Sequence, residues 1–204
     1  YSEAENANRK AAALDPRDAE AHVNLGVSLQ NLGRFVEAEA SLRRALVLNS
    51  NFAECYFNLG NTLQSLGRGY EALNSYKRSI ELKPDLIKAY NNLGVLQKKR
   101  GELTKAKSSF AQAVTLKPDF FEAQSNLGVV LKDLGLLGES EVTLKKLVFL
   151  KPDYKEGHFN LGNTLLEMGM LKEAEASFRE AIKIIISLES CNRMVTGSCL
   201  FPRR

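Results

Sequence analysis

The tripeptide Asn-Leu-Gly stands at 24–26, 58–60, 92–94, 126–128 and 160–162, each copy 34 residues after the last. A fixed period of that size marks a tandem array, in which one small supersecondary unit stacks on the next and buries its apolar face against its neighbours. The period overrides the prior from length, since 204 residues would otherwise suggest one or two globular domains. With the tripeptide at the sixth to eighth positions, repeats occupy 19–52, 53–86, 87–120, 121–154 and 155–186. Residues 1–18 read as the second helix of a truncated leading repeat and 187–204 as an irregular tail. Because the chain opens at Tyr1 and on half a repeat, a fragment of a longer protein is expected.

Each unit carries its own punctuation. A second glycine recurs at the fifteenth position (Gly33, Gly67, Gly101, Gly135, Gly169), and glycine tolerates the left-handed conformation that ends a helix. A first helix of about 14 residues is implied, roughly 21 Å long. The second helix places Ala38, Leu42 and Ala45 on one face, by their spacing of four and three. The same face is Ala72, Tyr76, Ser79, then Ala106, Phe110, Ala113, then Ser140, Leu144, Leu147, and last Ala174, Phe178, Ala181. Pro16, Pro84, Pro118 and Pro152 close units, because the residue before proline is disfavoured in a helix. Asn51-x-x-Glu54, Asp119-x-x-Glu122 and Asp153-x-x-Glu156 resemble capping boxes at helix starts. No strand signal competes, so the fold class is all-α.

Several irregularities carry expectations of their own. Ser50 and Ile186 stand where proline recurs, and Gln97 where Leu29, Leu63, Leu131 and Leu165 stand. In the fourth repeat Ser140 replaces alanine and Leu147 puts a large side chain at a small site, which predicts helices pushed apart there. Ile182, Ile184, Ile185 and Ile186 form an apolar cluster, a surface suited to self-association through the last repeat.

Chemistry is thinly represented. Gly67-Arg-Gly69-Tyr-Glu-Ala72 matches a dinucleotide fingerprint but bridges two helices instead of following a strand. His22 and His158 occupy the same position four units apart, with no Cys or acid placed to share a metal. No cofactor, no metal and no catalytic residue is expected. A net charge of +4 is too mild to imply nucleic acid. The longest aliphatic run is Ile184-Ile185-Ile186, far short of the ~20 residues that span a bilayer. Three cysteines make no disulfide framework, which favours a reducing, cytoplasmic location.

The asparagines are the functional signal. Asparagine is disfavoured in helices against alanine by up to ~0.7 kcal/mol, yet the sixth position keeps it while the fifth drifts through Val23, Phe57, Asn91, Ser125 and Phe159. With leucine at the seventh position facing the core, the sixth is turned about 100° away.

The period, the Leu-Gly pair, the small-large-small face and the closing proline resemble the tetratricopeptide repeat family. The resemblance implies a right-handed superhelix of antiparallel helix pairs, first helices lining a concave groove and second helices forming the convex back. It places Asn24, Asn58, Asn92, Asn126 and Asn160 in that groove, with Phe57, Asn61, Lys98, Lys99 and Asn163 around them. The family's carboxylate clamp for heat-shock chaperones adds basic residues at the second, fifth and sixth positions, and only Lys88 fits. The asparagine column is similar to that in the repeat arm of O-linked N-acetylglucosamine transferase, where amides hold a peptide by its backbone. The function so implied is a non-catalytic scaffold binding an extended protein or peptide segment. The alternative is the substrate-recruiting arm of a larger protein glycosyltransferase, although no sequence here resembles a glycosyltransferase domain. Lys98-Lys99-Arg100 also complements the negative end of a helix dipole without any ligand.

Overall fold

The computed structural model describes residues 2–195, and among them it contains eleven α-helices and no strand. The chain divides into two units, 1–101 and 102–204. In the first unit α1 (Ser2–Leu14) precedes α2 (Ala19–Asn31), α3 (Phe35–Leu48), α4 (Ala53–Ser65), α5 (Gly69–Leu82) and α6 (Ile87–Lys99). The second unit holds α7 (Leu103–Leu116), α8 (Phe121–Asp133), α9 (Leu137–Leu150), α10 (Lys155–Glu167) and α11 (Leu171–Val195). Within each unit consecutive helices pack on one another, and first helices of successive repeats also touch directly: α2 on α4 and α8 on α10.

The fifteenth-position glycines all have φ between 73° and 77°, as helix stops in the left-handed region require. At the first of them Gly33 N donates to Gln30 O at 2.9 Å and Arg34 N to Leu29 O at 2.9 Å, the paired closure that satisfies the last carbonyls of a helix. Two residues later the next helix begins, so the two helices of a repeat are forced back alongside each other.

Their crossing is filled by the eighth-position glycine of one helix and the large residue of the other. A Cβ on Gly26 would lie 2.7 Å from Leu42 Cγ, and one on Gly60 2.6 Å from Tyr76 Cε1. Gly128 and Gly162 meet Leu144 and Phe178 in the same way, at 2.5 and 2.6 Å. Leu42, Tyr76, Leu144, Ala38 and Ala72 are fully buried, each large side chain contributing roughly 1.5–3 kcal/mol relative to exposure. In the first unit this layer is continuous from Val23 through Leu42, Leu59, Tyr76 and Leu93 to Leu96.

Two expectations are corrected. First, the capping boxes do not form: α4, α8 and α10 have Phe52, Phe120 and Tyr154 at the N-cap and no side-chain cap hydrogen bond. Only α2 is capped through a side chain among the helices from α2 to α10, by Asp18 accepting from Glu20 N and Ala21 N. Glu54 instead meets Lys83 Nζ at 2.7 Å. Second, the chain does not turn irregular at Ser187, because α11 runs on to Val195. Neither proline nor glycine occurs between Gly169 and Gly197, so nothing stops the helix. At Ser50 the same lack of proline is compensated, since Asn49 Oδ1 accepts from Asn51 N at 3.0 Å and closes a turn. Residues 196–204 lie outside the described residues.

In the fourth repeat Leu147 is accommodated in part by the residue that faces it from the next repeat. Leu147 is fully buried, and the residue across from it is Gly157, whose Cβ would lie 3.1 Å from Leu147 Cδ2. The equivalent cross-repeat pairs are Ala45 with Cys55, Ser79 with Ala89 and Ala113 with Ala123. Part of the volume gained at one position is thus given up at the other. Ser140, also fully buried, donates to Gly128 O at 2.8 Å and lies 3.0 Å from Thr164 Oγ1, so its hydroxyl is satisfied.

Candidate functional site

The sixth-position asparagines are carried by first helices: Asn24 on α2, Asn58 on α4 and Asn92 on α6 in the first unit, Asn126 on α8 and Asn160 on α10 in the second. Asn24 is exposed and the other four are half-buried, while the leucines next to them are buried except Leu127, which is half-buried. One turn of 100° per residue explains the split.

Successive first helices are stitched by amides. Gln30 Nε2 on α2 donates to Asn58 O on α4 at 2.7 Å and also to Thr62 Oγ1. Thr62 Oγ1 in turn donates to Asn58 O at 2.9 Å. Asn92 Nδ2 on α6 donates to Asn61 Oδ1 on α4 at 2.8 Å. Tyr76 OH, on α5, lies 2.9 Å from that same Asn61 Oδ1 and 3.0 Å from Gln64 Oε1. The ring beneath the hydroxyl is fully buried and packs 6.1 Å from Phe57 at a tilt of 47°. Burial pushes the Tyr76 phenol up to about 12, against a smaller opposing pull from Asn92. It is therefore a neutral hydroxyl at physiological pH.

In the second unit Asn160 Nδ2 donates to Ser125 Oγ on α8 at 2.9 Å, again one repeat back. Phe159 is 54% exposed and its ring lies 5.7 Å from that of Phe178. Asn163 is half-buried.

The structure thus brings Asn92, Asn61 and Phe57 together around Tyr76. It sets Asn58 one turn from Asn61 on the same helix face, and places Asn24 on the adjoining α2. Lys98 and Lys99 form the last turn of α6, about two turns or ~10 Å along the axis from Asn92. In the second unit Lys132 pairs with Glu167 at 2.7 Å and Asp133 at 3.3 Å. Gln30, Gln64 and Tyr76 are members of the network that sequence reasoning did not single out. For Tyr76 the signal was present, since a phenol is the only hydroxyl-bearing aromatic at a position otherwise held by Leu42, Phe110, Leu144 and Phe178.

The remaining candidates for chemistry have structural employment. His158 Nε2 lies 2.8 Å from Pro152 O and His22 Nε2 3.3 Å from Pro16 O, and Gln124 Nε2 reaches Pro118 O in the same way. In three repeats the fourth position therefore ties the first helix to the proline carbonyl that ends the preceding repeat. Cys55 is fully buried, its Sγ donating to Leu42 O at 3.3 Å, and burial pushes its thiol up to about 12. Gly67 lies between α4 and α5 and Gly69 opens α5, a helix-to-helix turn and not a strand-to-helix one. Among the described residues no group of three or more His, Cys, Asp or Glu is placed to hold a metal ion, and no helix is long and apolar enough to cross a membrane.

Helix pairs on a 34-residue period, with the glycine–large-residue crossing and left-handed stops just described, define an all-α repeat scaffold. The chain belongs to the tetratricopeptide repeat family, which matches residues 19–52, 53–86, 87–120 and 155–185. Solved structures share the fold. MamA superposes with a TM-score of 0.76 at 22% identity, over 81% of this chain and 97% of that one. YrrB, described as a tetratricopeptide repeat protein with an unusual peptide-binding site, gives 0.76 at 22% identity over 93% and 100%. PilF of Pseudomonas aeruginosa gives 0.73 at 18% identity over 83% and 78%. At these identities the likeness is one of fold. No curated protein sequence matches the chain.

Proposed function

We propose that this chain is a non-catalytic protein-interaction scaffold that holds an extended partner segment against the asparagine-bearing face of its first helices. The observation that carries the reading is the state of the amides in the first unit. The side chains of Asn24 and Asn58 make no hydrogen bond to the described residues, and Asn92 commits only its Nδ2. An amide offers both an acceptor and a donor, which matches the C=O and N–H of one peptide unit. Adjacent helices pack about 8–10 Å apart and an extended chain advances ~3.3 Å per residue, so one asparagine serves about every three residues of a bound strand. Contacts of this kind ignore the partner's side chains. Selectivity then falls to Phe57, Asn61, Lys98, Lys99 and, in the second unit, to Asn163, where Asn126 and Asn160 belong to the asparagine column. The fold likeness to YrrB supports a peptide partner. A second contact is supported by exposed apolar side chains on α11, Ile182 at 55% and Ile186 at 58%, as a surface for self-association. Its concentration dependence would show in sedimentation.

The test uses peptides selected from a display library for binding to the parent protein. Replacing Asn24, Asn58 and Asn92 together by alanine removes about five neutral hydrogen bonds at ~0.5–1.5 kcal/mol each, two from each of the first two amides and one from Asn92 Oδ1, so affinity should fall about 100-fold or more. Single replacements should cost about 100-fold or less by the same estimate. A triple variant that retains its circular dichroism and binds as tightly as the parent would move recognition off this face.

A further inference from the structure

The Tyr76 hydroxyl sits at the centre of a chain of amides and has only one proton to give. It lies within hydrogen-bond distance of two oxygens as assigned, Asn61 Oδ1 at 2.9 Å and Gln64 Oε1 at 3.0 Å. Nitrogen and oxygen of a glutamine amide are interchangeable by a half-turn. Turning Gln64 lets its Nε2 donate to the phenol oxygen, while the phenol proton goes to Asn61 Oδ1. Asn61 Oδ1 then accepts from Tyr76 on one side and from Asn92 Nδ2, at 2.8 Å, on the other. Reversing Asn61 would set its NH2 against the NH2 of Asn92. The two half-buried amides therefore turn together or not at all, and in the orientation of this structure Asn61 Nδ2 is left as a donor and Asn92 Oδ1 as an acceptor.

Resting on the reading proposed above, we infer that Tyr76 is a positioning residue that fixes Asn61 and Asn92 as a donor–acceptor pair for one secondary peptide unit, so that this rung rejects a partner lacking a backbone N–H there. The donor of the pair meets the partner's C=O and the acceptor meets its N–H. Proline or an N-methylated residue supplies the first and not the second, leaving Asn92 Oδ1 unpartnered. No other repeat has a hydroxyl at this position: Leu42, Phe110, Leu144 and Phe178 stand there. Discrimination thus belongs to this rung and not to the whole asparagine column.

The experiment titrates the full chain, labelled on its side-chain amides, with N-acetyl-tetraalanine amide and with N-acetyl-tetrasarcosine amide. The second keeps every carbonyl and has no backbone N–H within its four residues. For the parent, the Asn61 and Asn92 amide signals should respond to the alanine probe about two- to tenfold more tightly than to the sarcosine probe, the worth of one hydrogen bond. Tyr76→Phe keeps the ring that packs against Gly60 and removes the hydroxyl. It should bring that ratio at Asn61 and Asn92 close to one while the Asn58 signal still responds to alanine. Gln64→Leu, which withdraws the other partner of the phenol and leaves the core ring untouched, should lower the ratio as well. If Asn58 responds in all proteins but the ratio at Asn61 and Asn92 is unchanged in both variants, the role of Tyr76 is overturned and the face remains a binding face. If the alanine probe moves none of Asn24, Asn58, Asn61 and Asn92 in the parent, the binding face itself is refuted.

Discussion

The exchange of volume between Leu147 and Gly157 can be tested as a change of sign. Alone, Gly157→Ala gains about 0.8–1.0 kcal/mol of helix propensity within α10. It also places a methyl group 3.1 Å from Leu147 Cδ2, 3.2 Å from Leu147 Cγ and 3.2 Å from Tyr154 Cδ1. Leu147 is fully enclosed and has little freedom to retreat, so overpacking costs ~1–3 kcal/mol and the variant should be neutral to ~2 kcal/mol less stable. Leu147→Ala alone empties a buried leucine site at a cost of ~2–5 kcal/mol. With Leu147 already shortened, the alanine at 157 keeps only the contact with Tyr154, fills part of the void and keeps its propensity gain. On that background the same substitution should stabilise by about 1 kcal/mol or more. Urea unfolding of the parent, both single variants and the double variant, followed by circular dichroism, gives the coupling directly, and a value of ~1–3 kcal/mol is expected for residues in contact. Additivity within ~0.5 kcal/mol would refute the compensation.

Gly60→Ala should destabilise the first unit, because its Cβ meets the buried Tyr76 ring at 2.6 Å, whereas Gly138→Ala meets nothing within 4 Å and should stabilise by ~0.4–1 kcal/mol; thermal unfolding separates the two. The Lys83 ammonium, through its hydrogen bond, holds the Glu54 carboxyl below the usual carboxylate range. A carboxylate lowered in the folded state stabilises above its unfolded value of about 4.3 and loses that contribution as pH falls through the folded value. Both partners are nearly half exposed, at 45% and 44%, so less than ~1 kcal/mol is at stake, and Glu54→Gln should flatten that part of the acid limb of the melting temperature. Deleting 53–86 joins Phe52 to Ile87 in register and should leave a folded, less stable protein, whereas deleting half a unit should abolish cooperative unfolding.

Backbone punctuation was the most legible part of this fold. Gly33 and its four equivalents end helices for a reason that is local, so the sequence pattern suffices to place them. Gly26 against Leu42 was legible too, because period and small-large alternation together imply a crossing. The N-caps were not, since Asp119 and Asp153 have the right residue type but whether a carboxylate reaches the first amides depends on the path of the preceding turn. That path is set by Phe120 and Tyr154 entering the N-cap position. The end of α11 was misjudged because loss of repeat pattern was taken as loss of helix, when helix needs only the lack of a breaker. Leu147 looked like an excess in its own column, and its compensation lies ten residues on in another repeat. As for the asparagine column, its period was enough to assign it to the first helices. The hydroxyl of Tyr76 was hidden among residues assigned to the core, since its ring does belong there.

The asparagine column divides by what its amides touch, and the division bears on why the residue recurs. If the column were purely structural, each amide should bind the preceding repeat, as Asn92 does through Asn61 and Asn160 through Ser125. Asn24 is exposed and makes no such link, although α1 does reach α2 there, through Asn8 Nδ2 donating to Asn24 O at 3.2 Å. Asn58 likewise receives Gln30 on its backbone oxygen and leaves its side chain out of the link. Between α2 and α4 the stitch is therefore made by a main-chain carbonyl and the glutamine Gln30, which an alanine at Asn58 would leave in place. What alanine would remove at Asn24 and Asn58 is an exposed or half-exposed donor and acceptor above a layer of leucine that is already buried. A helix keeps a residue of poor propensity at such a place only at a cost to its own stability, which recognition of a partner would justify and packing does not require.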